Sequence, residues 1–265
     1  MYSRLELAFK YLRYYFTAAS GKGHGIHSPF VFEFITKVLN DDHPYAVFDR
    51  IEKLRKKMFV DKTIIEVDDF GAGSTVSKST QRTIASIAKN AVKAKKYSQV
   101  LFRMVNNYKP TNILELGTSL GITTAYLASA NLEAKVITME GAKPIAARAD
   151  ENFKTLGLNN IQIIEGNFDQ QLSTVVHQLS SVDFAFIDGN HRQEPTERYL
   201  RQLMPKLHGD SIVVFDDIHW SHEMEAAWKN IKNLPAIQCS IDLFFLGIVF
   251  FRKEFGEKQH FSIRF

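Results

Sequence analysis

At 265 residues, with 45% apolar and 23% charged side chains, the chain has ample material for a core and does not read as disordered. A net charge of +4 without a dense Lys/Arg stripe argues for ordinary solubility over nucleic-acid binding, and leaves acidic ligands open. The single cysteine, Cys239, excludes an intrachain disulfide and a thiolate metal cluster. Arg4 and Glu6 interrupt the stretch that a signal peptide needs, and no apolar run approaches the roughly 18–20 residues of a membrane span, so a cytoplasmic protein with no transmembrane segment is expected.

Leu5, Phe9, Leu12 and Phe16 recur at helical spacing among Arg4, Lys10 and Arg13, which predicts an amphipathic helix over 2–16 whose apolar stripe packs on the body. Gly21 to Phe30 holds three glycines and a proline and reads as a loop, with His24 and His27 candidates for a lid. Helical patterns follow over 31–39 and 47–59. The string Asp68-Asp-Phe-Gly-Ala-Gly-Ser74 lacks the Gly-Lys-Ser/Thr ending of a phosphate loop and is expected to be a loop of no assigned purpose. Residues 79–108 read as two helices ending before Lys109-Pro110. Residues 1–94 are therefore expected to form a mainly helical extension, a substrate lid or packing element, ahead of a domain over 95–265.

From Asn112 the texture changes to short β-rich runs at 113–116, 135–139, 161–164, 183–187 and 211–215. Helical stretches separate them at 123–130, 143–156, 169–179 and 194–207. Such alternation predicts parallel βαβ units with right-handed crossovers and helices on both faces. A helix near 223–232 precedes two last strands, near 237–245 and 247–252, close enough for an antiparallel hairpin. The expected fold is α/β: a Rossmann-like, seven-stranded, mostly parallel sheet.

The first of these strands runs into Glu115-Leu-Gly-Thr-Ser-Leu-Gly121, whose glycines allow backbone to approach a ligand where strand becomes helix. Twenty-five residues on, Glu140 ends the next strand, where a carboxylate can accept both ribose hydroxyls. The spacing G-x-x-x-G lacks the third glycine of a dinucleotide site, so the cofactor need not carry phosphate. S-adenosylmethionine (SAM), with its adenosine and its cationic sulfonium, suits acidic neighbours such as Glu115.

These residues resemble the class I SAM-dependent methyltransferases, whose first motif is E-x-G-x-x-x-G and whose second strand ends in an acid. The likeness covers roughly residues 95–253. It implies that Gly117, Thr118 and Gly121 line the methionine portion of the cofactor, that Glu140 takes the ribose, and that Gly166 and Asn167 of the Glu165–Phe168 turn lie beside adenine.

Two further strands end in Phe186-Ile-Asp-Gly-Asn-His191 and Val214-Phe-Asp-Asp-Ile-His-Trp220. Asp188, Asp216 and Asp217 could converge as an oxygen-rich set suited to Mg²⁺, and Asp188 is grouped with the cofactor residues as well. The alternative is that these acids only cap strand ends. The strings resemble those of the metal-dependent O-methyltransferases, the macrolide-sugar branch more than the catechol branch. The lysine base of catechol-type enzymes falls near His191, making His191 the candidate general base, with His219 second. Both histidines could equally be structural, and Trp220 and Trp228 read as packing residues. No Asn/Asp-Pro-Pro-aromatic string is present at 188–191, which argues against methylation of base amino groups. The expected activity is methyl transfer to a hydroxyl of a small molecule: a phenol, sugar, lipid or polyketide. Competing readings are a cofactor-binding scaffold without catalysis and an NAD-dependent oxidoreductase. Oligomeric state stays open, a homodimer included.

Overall fold

The computed structural model describes residues 1–66 and 81–265, so the Asp68–Ser74 string lies outside the described residues. The chain forms two compact units, one of Met1–Asp41 with Val176–Phe265 and one of Asp42–Val175. Chain order begins with α1 (Arg4–Thr17) and α2 (Pro29–Phe34), which runs into a π-helical turn at Ile35–Leu39. The second unit follows with α3 (Ala46–Met58), β1 (Ile64–Glu66), β2 (Gln81–Thr83), α4 (Ile84–Ala91), α5 (Lys95–Tyr108), β3 (Asn112–Leu116), α6 (Ile122–Ala130), β4 (Lys135–Glu140), α7 (Lys143–Leu156) and β5 (Ile161–Glu165). Helix α8 (Phe168–Gln178) leads to β6 (Phe184–Ile187), α9 (Gln193–Leu203), β7 (Ile212–Asp216), α10 (His222–Lys232), β8 (Cys239–Asp242), β9 (Leu246–Phe250) and β10 (Gln259–Ser262). Strands β3 to β10 make up a mostly parallel sheet of eight with helices around it, the Rossmann-like α/β class expected. Among the described residues no helix is long and apolar enough to cross a membrane.

In the second unit β3, β4 and β5 pair in parallel, in that order, with Glu115 opposite Thr138 and Glu140 opposite Glu165. Helix α5 buries Tyr97, Val100, Leu101, Met104 and Val105, the i, i+3/i+4 spacing of one helical face. It stops at Lys109, which takes a left-handed φ of 51° before Pro110. Tyr126 of α6 donates to Glu52 of α3 (2.8 Å), and Glu52 also receives the buried Arg55 guanidinium (3.0 Å), so the buried charge is paired.

In the other unit β6 and β7 are parallel, and β9 runs antiparallel to both β7 and β8, the hairpin expected from the sequence. An eighth strand beyond the expected seven, β10, pairs in parallel with β8. Its four residues, Gln-His-Phe-Ser, are short and polar and carry no apolar alternation. Backbone pairing and the Lys258 ammonium, bonded to the carbonyls of Asn233 and Leu234 (2.9 and 2.7 Å), hold this edge.

Helix α1 corrects an expectation. Leu5, Phe9, Leu12 and Phe16 point to solvent at 74, 72, 50 and 79% exposure. The helix packs instead through Leu7, Tyr11, Tyr14 and Ala18, against Phe244 and Phe245. Both sets follow the same helical spacing, offset by two residues, or about 200° around the axis, so periodicity could not choose between them. Tyrosine settles the choice, because Tyr14 brings a ring against Phe244 and a hydroxyl that donates to the Ile263 carbonyl.

Gly247 of β9 sits opposite both Phe215 and Asp242. A Cβ there would come within 2.8 Å of the buried Trp228 ring and 2.9 Å of Ile218. Gly247→Ala is therefore expected to destabilise the fold by about 1–3 kcal/mol through overpacking; urea denaturation checks this, and an unchanged midpoint would contradict it.

Candidate functional site

The β3–α6 turn is built from unusual backbone. Gly117, Ser119 and Gly121 have φ of 105°, 47° and 80°, a region open to glycine and costly for serine. At Gly121 a Cβ would also meet the Phe153 ring at 2.5 Å, so glycine is required there on two grounds. The N–H groups of Gly117 and Thr118 both reach the Met139 carbonyl (3.1 Å each), and Asn152, 4% exposed, donates to the Leu120 carbonyl (3.0 Å). Glu140 at the end of β4 accepts from the Ser119 N–H (2.9 Å) and the Ala142 N–H (3.0 Å). Two backbone donors thus fix its carboxylate.

Glu115, expected beside the cofactor, has no exposed surface. Its Oε2 accepts from the Thr124 hydroxyl and from the Thr138 hydroxyl (2.7 Å). The Thr118 hydroxyl lies 2.6 Å from that of Thr138. A chain of hydroxyls therefore links the turn to the buried acid. Burial pushes the Glu115 carboxyl up to about 7, against the two threonine bonds that lower it, and nearby Glu140 adds to the rise. Glu115 thus shapes the turn from beneath. Neither threonine was singled out from the sequence, although a threonine at the centre of the apolar strand Val-Ile-Thr-Met is itself a signal of a buried polar partner. Ser119 was also missed. Its Oγ is buried with no hydrogen-bond partner among the described residues, an unused donor in the turn that holds Glu140.

Gly166 takes a φ of 134°, and its N–H reaches the Glu140 carbonyl (2.9 Å). Asn167 accepts from the Asp169 N–H (2.8 Å), and its own carbonyl receives Gln170 and Gln171, so this side chain caps the start of α8.

In the other unit, Asp188 and His191 follow β6. The Asp188 Oδ1 to His191 Nε2 distance is 3.5 Å, and the His191 ring meets Trp220 edge-on at 5.4 Å. Asn190 and His191 both have positive φ (66° and 21°), and Asn190 bonds the Tyr199 hydroxyl (3.3 Å), so a bent loop presents the imidazole. With Nε2 facing a carboxylate, the favoured tautomer carries its proton there and leaves the Nδ1 lone pair as acceptor.

His219 has a different role. Its Nδ1 lies 3.1 Å from Glu225 and its Nε2 2.8 Å from Asp242, with the ring stacked on Phe244 at 5.1 Å. Burial lowers its pKa, but Asp242 and Glu225 outweigh that and raise it overall. Both ring nitrogens of His219 are thus engaged by carboxylates. Asp216, 3% exposed, ends β7, and Asp217 follows at a φ of 50° with its N–H on the Phe245 carbonyl (2.7 Å). Among the described residues no three His, Cys, Asp or Glu side chains are placed to hold a metal ion, so Asp188, Asp216 and Asp217 do not fit a Mg²⁺ donor set as arranged.

The family Methyltransf_24, a methyltransferase domain, matches residues 114–218, from within β3 to just past Asp217. The S-adenosylhomocysteine (SAH)-bound methyltransferase PaMTH1 of Podospora anserina superposes with a TM-score of 0.60 at 14% identity, over 86% of this chain and 97% of that one. The O-methyltransferase of Bacillus cereus in complex with SAH gives 0.54 at 15% identity, over 83% and 97%. TomG of Streptomyces achromogenes, an O-methyltransferase of tomaymycin synthesis solved with SAM, gives 0.54 at 14%, over 62% and 82%. A relative from Sinorhizobium fredii, the uncharacterised protein y4gI, is 25% identical over 170 residues; the match spans 58% of this chain and only 18% of that protein. The fold is one shared with these SAM- and SAH-bound methyltransferases, and residues 114–218 match a methyltransferase-domain family.

Glu115 yields a pH prediction. The folded carboxyl keeps its proton to about 7, whereas the unfolded one loses it near 4.5. Its stabilising contribution is complete below the unfolded value and is lost as pH rises through the folded one. Glu115→Gln keeps an oxygen for Thr124 and Thr138 and cannot ionise. Its Tm relative to the parent chain is expected to climb between about pH 5 and about pH 8, followed by thermal denaturation; a pH-independent difference would contradict the assignment.

Proposed function

We propose that the protein transfers the methyl group of SAM to a hydroxyl oxygen of a small molecule, with His191 as general base. The observation that carries this reading is the Glu140 carboxylate fixed by the Ser119 and Ala142 N–H groups, because it supplies a rigid ribose acceptor next to a turn of three positive-φ residues. Bound SAM would supply an electrophilic methyl on a sulfonium. Gly117, Thr118, Ser119 and Gly121 would hold its amino-acid portion, Glu140 its ribose, and Gly166 and Asn167 the adenine side. The acceptor hydroxyl gives its proton to Nδ1 of His191 as the oxygen–methyl bond forms and the sulfur–methyl bond breaks, leaving a neutral thioether. Asp188 positions the imidazole and balances the charge that it gains. Much of the acceleration then comes from holding donor and acceptor in line. The 14–15% identity of the O-methyltransferase neighbours leaves the acceptor to be found by experiment.

The test is transfer of labelled methyl from SAM to a panel of phenolic and sugar hydroxyls, beside calorimetry of SAM binding. His191→Ala is expected to lose roughly 10²–10⁴-fold in turnover while SAM affinity holds. Undiminished transfer by that variant would remove His191 from the mechanism. Binding without transfer to any acceptor would favour the scaffold reading.

A further inference from the structure

The outer face of α1 has no role in the proposed chemistry. Leu5, Phe9, Leu12 and Phe16 form one stripe along it, each at least half exposed, with Tyr15 alongside at 46%. The stripe is held outward and is not a fraying end. Ser3 and Glu6 close a capping box, the Tyr2 N–H reaches the Trp220 carbonyl (3.1 Å), and the Tyr2 hydroxyl donates to Glu225 (2.6 Å). The Lys10 ammonium bonds the same Glu225 carboxylate (3.0 Å), and Tyr14 is anchored beneath. This cluster fixes both the position and the rotation of the helix.

The charges beside the stripe are cationic. Arg4 and Arg13 are exposed on the helix, and the Arg264 guanidinium lies 5.6 Å from the Tyr15 ring. The helix has one acid, Glu6, which is engaged with the Ser3 N–H (2.7 Å). A second copy laid on this face would bring more arginines and no available acid to meet them. The stripe is also small: a 14-residue helix is about 21 Å long and its apolar face about 10 Å wide, well short of the roughly 800 Å² that each partner buries in a stable dimer.

We propose that α1 docks the protein on an anionic lipid surface, with Leu5, Phe9, Leu12 and Phe16 entering the acyl boundary and Arg4, Arg13 and Arg264 meeting lipid phosphates. An amphipathic helix lying in the interface needs this pairing of apolar insertion with cationic flanks, since neither alone gives firm attachment.

The test is flotation of the full chain with vesicles of phosphatidylcholine alone or mixed with phosphatidylglycerol, at low and high salt. The chain should float with the anionic vesicles and be released by salt. Phe9→Ser/Phe16→Ser and, separately, Arg4→Glu/Arg13→Glu should each lower the bound fraction roughly tenfold. Both pairs are exposed, and circular dichroism confirms that each variant is folded. Failure to float with either vesicle, or equal binding to both, would overturn the proposal. So would sedimentation showing a dimer that Phe9→Ser/Phe16→Ser converts to monomer, since a second copy would then cover the face.

Discussion

A carboxyl group with no access to water, that of Glu115, is buried in the second unit, and the β3–α6 turn depends on the hydrogen bonds made to that group. Glu115 occupies an apolar strand and can be tolerated there only with hydrogen-bond donors around it. The β3–β4 register supplies Thr138 directly opposite, the first turns of α6 supply Thr124, and the turn between supplies Thr118 through Thr138. Strand, helix and turn are thereby tied to one point. The same register sets Glu140 at the end of β4, where the Ser119 N–H can reach it. One buried acid shapes the turn, and a second, partly buried acid is clamped to it.

The other unit shows how environment divides two histidines of similar sequence context. His219 lies between Asp242 and Glu225 and is raised toward the charged form, and Glu225 in turn collects Tyr2 and Lys10 from the start of the chain. That network serves packing and the orientation of α1. His191 has Asp188 at 3.5 Å and an aromatic edge, on a loop bent by two positive-φ residues. A general base needs one ring nitrogen available to its substrate, and for this reason His191 and not His219 is proposed for that role.

The sheet was legible in the sequence because its strands are apolar runs between helices of clear period, and seven of the eight strands were expected close to where they lie. Strand β10 was not, since Gln259–Ser262 has no apolar pattern and depends on pairing with β8. Glycine spacing and the strand-end acid point to the β3–α6 turn, whose clamped geometry the structure shows. Burial and partners were hidden: no spacing distinguishes Glu115, sealed under the turn, from Glu140, which rims it. Periodicity also gave α1 two equal faces, and only contact with Phe244 shows which one packs. The aspartate pair after β7 suggests metal ligands by residue type, but a donor set depends on side-chain placement, which spacing does not fix.

The central claim is that Glu140, clamped to the β3–α6 turn, holds SAM. Calorimetry of SAM and of NAD binding to the parent chain, Glu140→Gln and Glu140→Ala tests it most directly. The account predicts SAM binding by the parent chain with no measurable NAD binding, and a loss of roughly tenfold or more in the alanine variant, where the ribose acceptor is gone. SAM affinity unchanged by Glu140→Ala, or a preference for NAD, would contradict it.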